Sequence, residues 1–372
     1  TTDLSGNVFV TGKTDINPSL AIIDFDYVTL KYNSAGTQVW VQTSGPANSF
    51  SDGGVAILTD ATGNCIVTGN VLNVGTQKDI RSIEYSSTGV SQWLKEYSGE
   101  GDHSDIVNAM TTDSNGNSYM AGYTYSSSNK RDMCVVKVNS IGDTLWVRTV
   151  NGSLNSDDEA NAVVVDASGN VFMTGYTKDT ITGNDYCTVK YNSSGTLLWI
   201  IKYNFATANG TDRATAMSLT PTGDIIVTGE SDSDPTAITN YDIATLKYST
   251  TGFLQWTHRF NGAANLSDQP NAISLSPSGE IVVVGKTGVT ATDDDAFVMK
   301  LNQSGVLMLS ATVPSAFGND DALTVAQDQV GEIAVGIQTT NSSLNDDIHV
   351  WFSDPLGNNW WTSSYNGTGN GN

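Results

Sequence analysis

The feature that most constrains this chain is a period of about fifty-three residues, carried by three markers at once. A Gly ends an apolar run at Gly12, Gly69, Gly122, Gly175, Gly229, Gly285 and Gly336. A second series follows at Gly36, Gly89, Gly142, Gly195, Gly252, Gly305 and Gly357, with gaps of 53, 53, 53, 57, 53 and 52 residues. Four residues past that second Gly stand Trp40, Trp93, Trp146, Trp199, Trp256 and Trp361, with Leu309 in the sixth place. A fixed period of this size indicates a solenoid, propeller or array, since each copy can bury its apolar faces only against its neighbours.

The content of one period chooses among these. The copy from Asp158 to Tyr203 is the clearest: an Asp, an Ala-centred apolar run, a D-x-x-G-N turn, a second apolar run, a loop, and a second Asp opening two further runs. Four runs rich in Val, Ile, Thr, Tyr, Phe and Trp, separated by Gly, Asn, Ser and Asp, predict four strands and their turns. No stretch carries a capped 3.6-residue amphipathic pattern, so no helix is expected. The fold class predicted is all-β, a seven-bladed β-propeller of four-stranded antiparallel blades. Runs such as Ile281–Val284, apolar on both faces, suit a sheet packed between two others. Thr1-Thr2-Asp3 aligns with Thr111-Thr112-Asp113, so the first blade is expected to be truncated, lacking most of its first strand. A length of 372 residues alone would suggest two or three domains. The unbroken period instead predicts one propeller domain over 1–372, alone or as a module of a longer surface protein.

The segments DASGNVFMTGYT, ATLKYSTTG and DAFVMKLNQSGVL resemble the repeat of secreted bacterial seven-bladed propeller proteins, the SBBP repeat. The resemblance spans essentially the whole chain. It implies a propeller fold and an extracellular or cell-surface setting, and it brings no catalytic residues with it. The G-x-x-x-W spacing is also similar to the tryptophan-docking repeat of quinoprotein-like propellers. Those have eight blades, and their enzymes need cofactor and calcium ligands for which no matching motif occurs here.

Charge narrows the partners. The formal net charge is −22, from 39 acidic and 17 basic residues, and only seven of the acidic ones are Glu. Asp favours turns and local backbone bonding, so much of the acidity punctuates the chain. The excess argues against nucleic acid, which needs clustered Lys and Arg. No apolar run is long enough for a spanning helix, so no membrane insertion is expected. Cys65, Cys134 and Cys187 show no C-x-x-C spacing, which predicts buried thiols rather than a disulfide framework or zinc site.

Within each copy the first-to-second and third-to-fourth turns are short and constant, whereas the connections at the other ends of the strands vary in length. Lys13–Phe25 and Glu230–Tyr241 are the longest of these. Variable loops on a rigid scaffold are where binding resides, so the loop ends form the candidate face. Two series of Asp reach it. Third strands open with Asp26, Asp79, Asp132, Asp185, Asp242, Asp295 and Asp347, and the blade entrances carry Asp52, Asp105, Asp158, Asp212, Asp268 and Asp320. Such carboxylates can concentrate a cation, but an Asp present in every copy is first expected to bond backbone amides. The candidate ligand-contacting residues are Asp26, Asp79, Asp132, Asp185, Asp242, Asp295 and His103, the one His on this side. Lys31, Lys137, Lys190, Lys247 and Lys300, five residues past an Asp, are expected to pack their stems and pair weakly at the surface. The Trp series is expected to cap the gap between diverging blades.

No H-E-x-x-H, G-x-S-x-G, P-loop or dinucleotide fingerprint occurs. No cofactor is expected. Weak calcium binding is the one metal reading, at Asp157-Asp158-Glu159, Asp232-Ser233-Asp234 or Asp293-Asp294-Asp295. The expected function is a non-catalytic extracellular or cell-surface module, monomeric or part of a larger protein, binding or displaying a protein or glycan ligand. Its rivals are an extracellular polysaccharide-active enzyme, for which two well-spaced carboxylates would suffice, and a quinoprotein-like assembly scaffold.

Overall fold

The computed structural model describes residues 1–15, 25–45, 52–73, 77–99, 103–125, 130–178, 183–205, 210–232, 240–313, 318–340 and 346–365. Most of the Lys13–Phe25 and Glu230–Tyr241 connections, Ser233, Asp234 and the Thr368–Asn372 tail lie outside them. The described chain contains strands and turns and no helix. Its strands form seven antiparallel sheets in sequence order, six of four strands and one of three. The fold is a seven-bladed β-propeller whose first blade has three strands. The chain divides into two compact units, Thr1–Lys178 with Val189–Leu198, and Asp179–Thr188 with Trp199–Asn372.

Blade three shows the pattern. Its strands are Ile106–Thr112, Ser118–Tyr125, Arg131–Val138 and Thr144–Val150, each hydrogen-bonded to the next. The Asp113 turn joins the first two. Asp113 Oδ1 accepts the amides of Asn115 and Asn117 at 2.9 and 3.0 Å, and Oδ2 accepts Asn117 Nδ2 at 2.7 Å. Gly116 closes the turn at φ 78°, where a side chain would be strained. The first strand bulges between Val107 and Ala109, and Gly122 pairs with Val107. A Cβ on Gly122 would stand 1.8 Å from the Ile106 carbonyl, which explains the first Gly series.

One member of that series needs correcting. In blade seven it is Ile337, 2 % exposed, that pairs with Ala322 at the bulge, while Gly336 pairs with Thr324. The turn before this strand has the usual length, but Gly336 follows the turn residue Gly331 by five positions where Gly122 follows Gly116 by six. The ladder therefore moves Ile337 into the Gly position.

The core lies between neighbouring blades. Second-strand residues Met120, Met173, Val227, Val283 and Val335 face the preceding blade at 0–2 % exposure, as does Val67 in blade two. Blade one differs. Val10 holds the equivalent place at 45 % exposure, and Val8, two residues before it, is 39 % exposed. Among the described residues Thr2 alone bridges to Val8 on the outer side of the strand Val8–Asp15, and a Cβ on Gly12 would meet nothing within 4 Å. In blade seven, Ile348 is 59 % exposed where its counterparts Met133, Tyr186 and Ile243 are buried.

Candidate functional site

The turn ends of the blades are occupied by packing. Trp93 Nε1 donates to the Ser140 carbonyl of the next blade at 3.2 Å, Trp146 to Ser193 at 3.3 Å, and Trp256 to Gln303 at 3.1 Å. Each ring lies on the turn Gly of that next blade, so a Cβ on Gly305 would come within 2.6 Å of the Trp256 ring. The Gly and Trp markers are thus two halves of one inter-blade contact. The Lys series packs, as expected, but is buried rather than at the surface: Lys31, Lys137, Lys190 and Lys300 are 2–8 % exposed, and Lys31, Lys247 and Lys300 lie 3.7, 3.1 and 2.8 Å from the carboxylates of Asp3, Asp224 and Glu280. Lys137 Nζ donates to the same Ser193 carbonyl as Trp146, at 3.1 Å, and lies 5.0 Å from the centre of the Tyr119 ring. A buried ammonium persists only with such partners.

The loop ends are organised by the entrance Asp series, all 0–1 % exposed. Asp158 ties three segments together. The Asp158 amide donates to the Arg131 carbonyl of the preceding blade at 2.8 Å, and its Oδ2 accepts the Gly152 amide of the inter-blade link at 2.5 Å. Its Oδ1 accepts the Lys178 amide, twenty residues on, at 2.8 Å. Asp105 and Asp268 repeat the arrangement with the hydroxyls of Thr124 and Thr287 in place of that amide. Two charge-assisted bonds per carboxylate to otherwise unmatched backbone or hydroxyl donors make this a structural staple.

The third-strand Asp series lies beside these staples. Asp26, Asp79, Asp132, Asp185 and Asp242 are 5–9 % exposed. A Cβ on Gly45 would overlap the Asp26 carboxylate, so that link residue is covered by it. Asp79 accepts Asn73 Nδ2 at 2.9 Å, and Asp242 pairs with Arg259 Nη2 at 3.1 Å. Asp132 Oδ1 is buried without a hydrogen bond. Burial, then the charge of Asp158, pushes the Asp132 carboxyl up to about 6. Burial, with the charge of Asp185, likewise lifts Asp212 to about 6 against the bonds from Ser231 and Phe205.

Asp295 departs from this series. It is half-buried and receives no hydrogen bond from any described residue. It lines a cavity of about 530 Å³ with Phe260, Asn261, Thr287, Val289 and Ser310 among its other walls. Burial, followed by the charges of Asp293, Asp320 and Asp294, raises its pKa. His103 is half-buried, with its ring 5.7 Å from that of Tyr125, and its charge draws Asp105 down against the burial that raises it. The seven candidates therefore stand each in its own blade setting. Their spacing revealed the series, and the cavity beside Asp295 carried no marker apart from the short connection from Thr290 to Asp293.

Several carboxylates of the candidate calcium triplets are bonded within the protein, and Ser233 and Asp234 lie outside the described residues. Asp157 and Glu159 pair with Arg131 at 3.5 and 3.2 Å, Asp158 is the staple, and Asp294 pairs with Lys286 at 3.1 Å. Among the described residues no group of three or more His, Cys, Asp or Glu side chains is placed to hold a metal ion. Cys65, Cys134 and Cys187 are buried and not disulfide-bonded, and burial raises the Cys65 thiol to about 12. His349 Nδ1 lies 2.8 Å from Ser364 Oγ in the same repeat position as Cys134 and Cys187, on the ladder opposite the Gly place.

With this geometry in view, the comparisons with known proteins can be read. Residues 92–128 match the β-propeller repeat family SBBP. The resemblance drawn from the repeat segments holds at that stretch, which runs from the last strand of blade two through the second strand of blade three. No curated protein matches the chain. An ulvan lyase, a polysaccharide lyase solved bound to -[GlcA(1-4)Rha3S]-, is similar in structure at 13 % identity, covering 80 % of each chain with a TM-score of 0.53. A Bacteroides caccae protein of unknown function is similar at 12 % identity over 81 % of this chain and 93 % of its own, TM-score 0.45. Drosophila plexin A, solved with semaphorin 1b, is similar at 10 % identity over 83 % of this chain and 76 % of its own, TM-score 0.48. At these identities the likeness is one of fold, which does not by itself carry a function.

Proposed function

We propose that this chain is a non-catalytic binding or display module, secreted or held at a cell surface, whose loop ends contact a protein or glycan ligand. The observation that carries the reading is the fate of the entrance carboxylates. Asp105, Asp158 and Asp268 each have both oxygens bonded within the protein, so the regular acidity at the loop ends serves the scaffold. A polysaccharide lyase or hydrolase needs a base or acid presented to substrate beside a second polar group. Asp132 and Asp212, the carboxyls shifted to about 6, are 7 % and 0 % exposed and lie under the surface.

The experiment is a paired screen. Purified protein is incubated with neutral, uronic and sulfated polysaccharides while reducing ends and unsaturated products are followed, and the same protein is applied to glycan and secretome protein arrays. Saturable binding without turnover is expected. Product formation that is lost in a buried-carboxyl variant such as Asp132→Asn would instead make it an enzyme.

A further inference from the structure

We propose that the blade-six cavity beside Asp295 is a receptor for a primary ammonium on an aliphatic stem, the side chain of a lysine offered by a protein partner. This rests on the binding-module reading and names the chemistry of one contact within it.

Among the described residues that line the cavity, Asp295 alone is charged, and its carboxylate is an acceptor with no described donor. Thr287 also lines it, but its hydroxyl hydrogen is committed to Asp268 Oδ1 at 2.5 Å, which leaves lone pairs. Asn261 lines it too, with one of its two amide hydrogens held by Asn265 Oδ1 at 2.6 Å. An ammonium brings the opposite charge and three donors to the Asp295 carboxylate, whereas a ligand carboxylate would be repelled and a neutral sugar hydroxyl would leave the charge uncompensated. Charge points the same way. Lys286, the nearby cation on the neighbouring strand, is paired with Asp294 at 3.1 Å, so Asp293, Asp294, Asp295 and Asp320 leave the region anionic.

Size and apolar wall select the stem. A cavity of about 530 Å³ exceeds what an inorganic ion fills and lies in the range of organic ligand sites. Phe260, Val289 and Ala263 supply apolar wall, against which a four-carbon stem can lie while its head reaches Asp295. At the same place in five other blades the carboxylate is closed off: Asp26, Asp79, Asp132, Asp185 and Asp242 are buried, whereas Asp295, after the two-residue connection Ala291-Thr292, is half-buried, as is Asp347 in blade seven.

The test uses the whole chain and Nα-acetyl-lysine N-methylamide as probe, followed by saturation-transfer NMR and calorimetry. Saturable binding is expected, at least tenfold weaker in Asp295→Asn, retained in Asp295→Glu, and unchanged in Asp143→Asn, which removes a charge at a turn end. The norleucine analogue and the Nε-trimethyl derivative should bind at least tenfold more weakly, since one lacks the charge and the other lacks the donors. Melting temperatures of the variants confirm that each is folded. No saturable binding, equal binding by the norleucine analogue, or indifference to Asp295→Asn overturns the proposal. A neutral glycan that binds and survives Asp295→Asn would overturn the ammonium assignment and leave the binding-module reading standing. Polysaccharide turnover with no lysine binding would remove both.

Discussion

The Asp268 carboxylate accepts the Thr287 hydroxyl at 2.5 Å, joining the start of one strand to the end of its neighbour nineteen residues on. Its other oxygen accepts the Gly262 amide at 2.7 Å, so one buried side chain holds a strand pair and the link that leads into it. The same device is present in blades three and four. Replacing Asp158 by Ala leaves the Gly152 and Lys178 amides without their acceptor and should lower unfolding stability by roughly 3 kcal/mol, the scale of orphaning buried donors. Urea denaturation measures it. A loss no larger than that of an exposed Asp143→Ala control would show that the staple contributes little.

The Trp256 and Gly305 contact predicts a coupling. Trp256→Phe removes the bond to the Gln303 carbonyl and should cost about 1 kcal/mol. Gly305→Ala places a Cβ 2.6 Å from the ring at φ 77° and should cost roughly 2–3 kcal/mol from strain and overpacking. With Trp256→Ala in the background the overpacking part disappears and only the φ strain remains. A double-mutant cycle reads the difference, and strict additivity would mean that the ring does not rest on that turn.

Stability should rise as pH falls from neutrality. Burial holds the Asp132 and Asp212 carboxyls at about 6, above the unfolded value of 3.8. Between those values the native state binds more protons than the unfolded chain, so this contribution is full below about pH 4 and lost as pH rises through 6. Asp113 works in the opposite direction, its pKa lowered by bonds from Asn117 and Tyr119 that outweigh its burial, and its contribution is lost only below pH 4. Melting temperature should therefore increase from pH 7 to about pH 5. Asp132→Asn should raise it at pH 7 and flatten the profile. A melting temperature that falls over this window would contradict the burial of these carboxyls.

Equivalent valines should tolerate truncation unequally. Val227, 0 % exposed, sits in a blade interface, and Val227→Ala should cost roughly 2 kcal/mol in lost transfer energy and cavity. Val10, 45 % exposed at the same repeat position, should cost less than about 0.5 kcal/mol. Equal costs would place a covering element over the blade-one face.

Much of the architecture was legible because its causes are local. Asp113, Gly116 and Asn117 make a turn by bonding within five residues, and Gly305 needs its positive φ wherever the chain goes, so these residues recur with the period. Series of this kind predict strands, turns and blade number without coordinates. The seventh copy shows where reading by pattern slips: Gly336 kept the marker's spelling but stands one residue early on its strand, so its place on the ladder belongs to Ile337.

The candidate site was much less legible, because what separates one Asp from another lies in partners distant in sequence. Asp26, Asp132 and Asp295 are alike as letters. What distinguishes them is burial under Gly45, proximity to Asp158, or an opening beside Phe260 and Thr287. The packing of the Lys series was legible but its partners were not, since Lys137 finds its acceptor fifty-six residues on, in the next blade. Sequence alone determined the strand content, the turns and the number of repeats, which arise from contacts a few residues apart. Only the tertiary structure decided which carboxylates are staples and which are less closed off, because that is settled by desolvation and by donors that separate blades bring together.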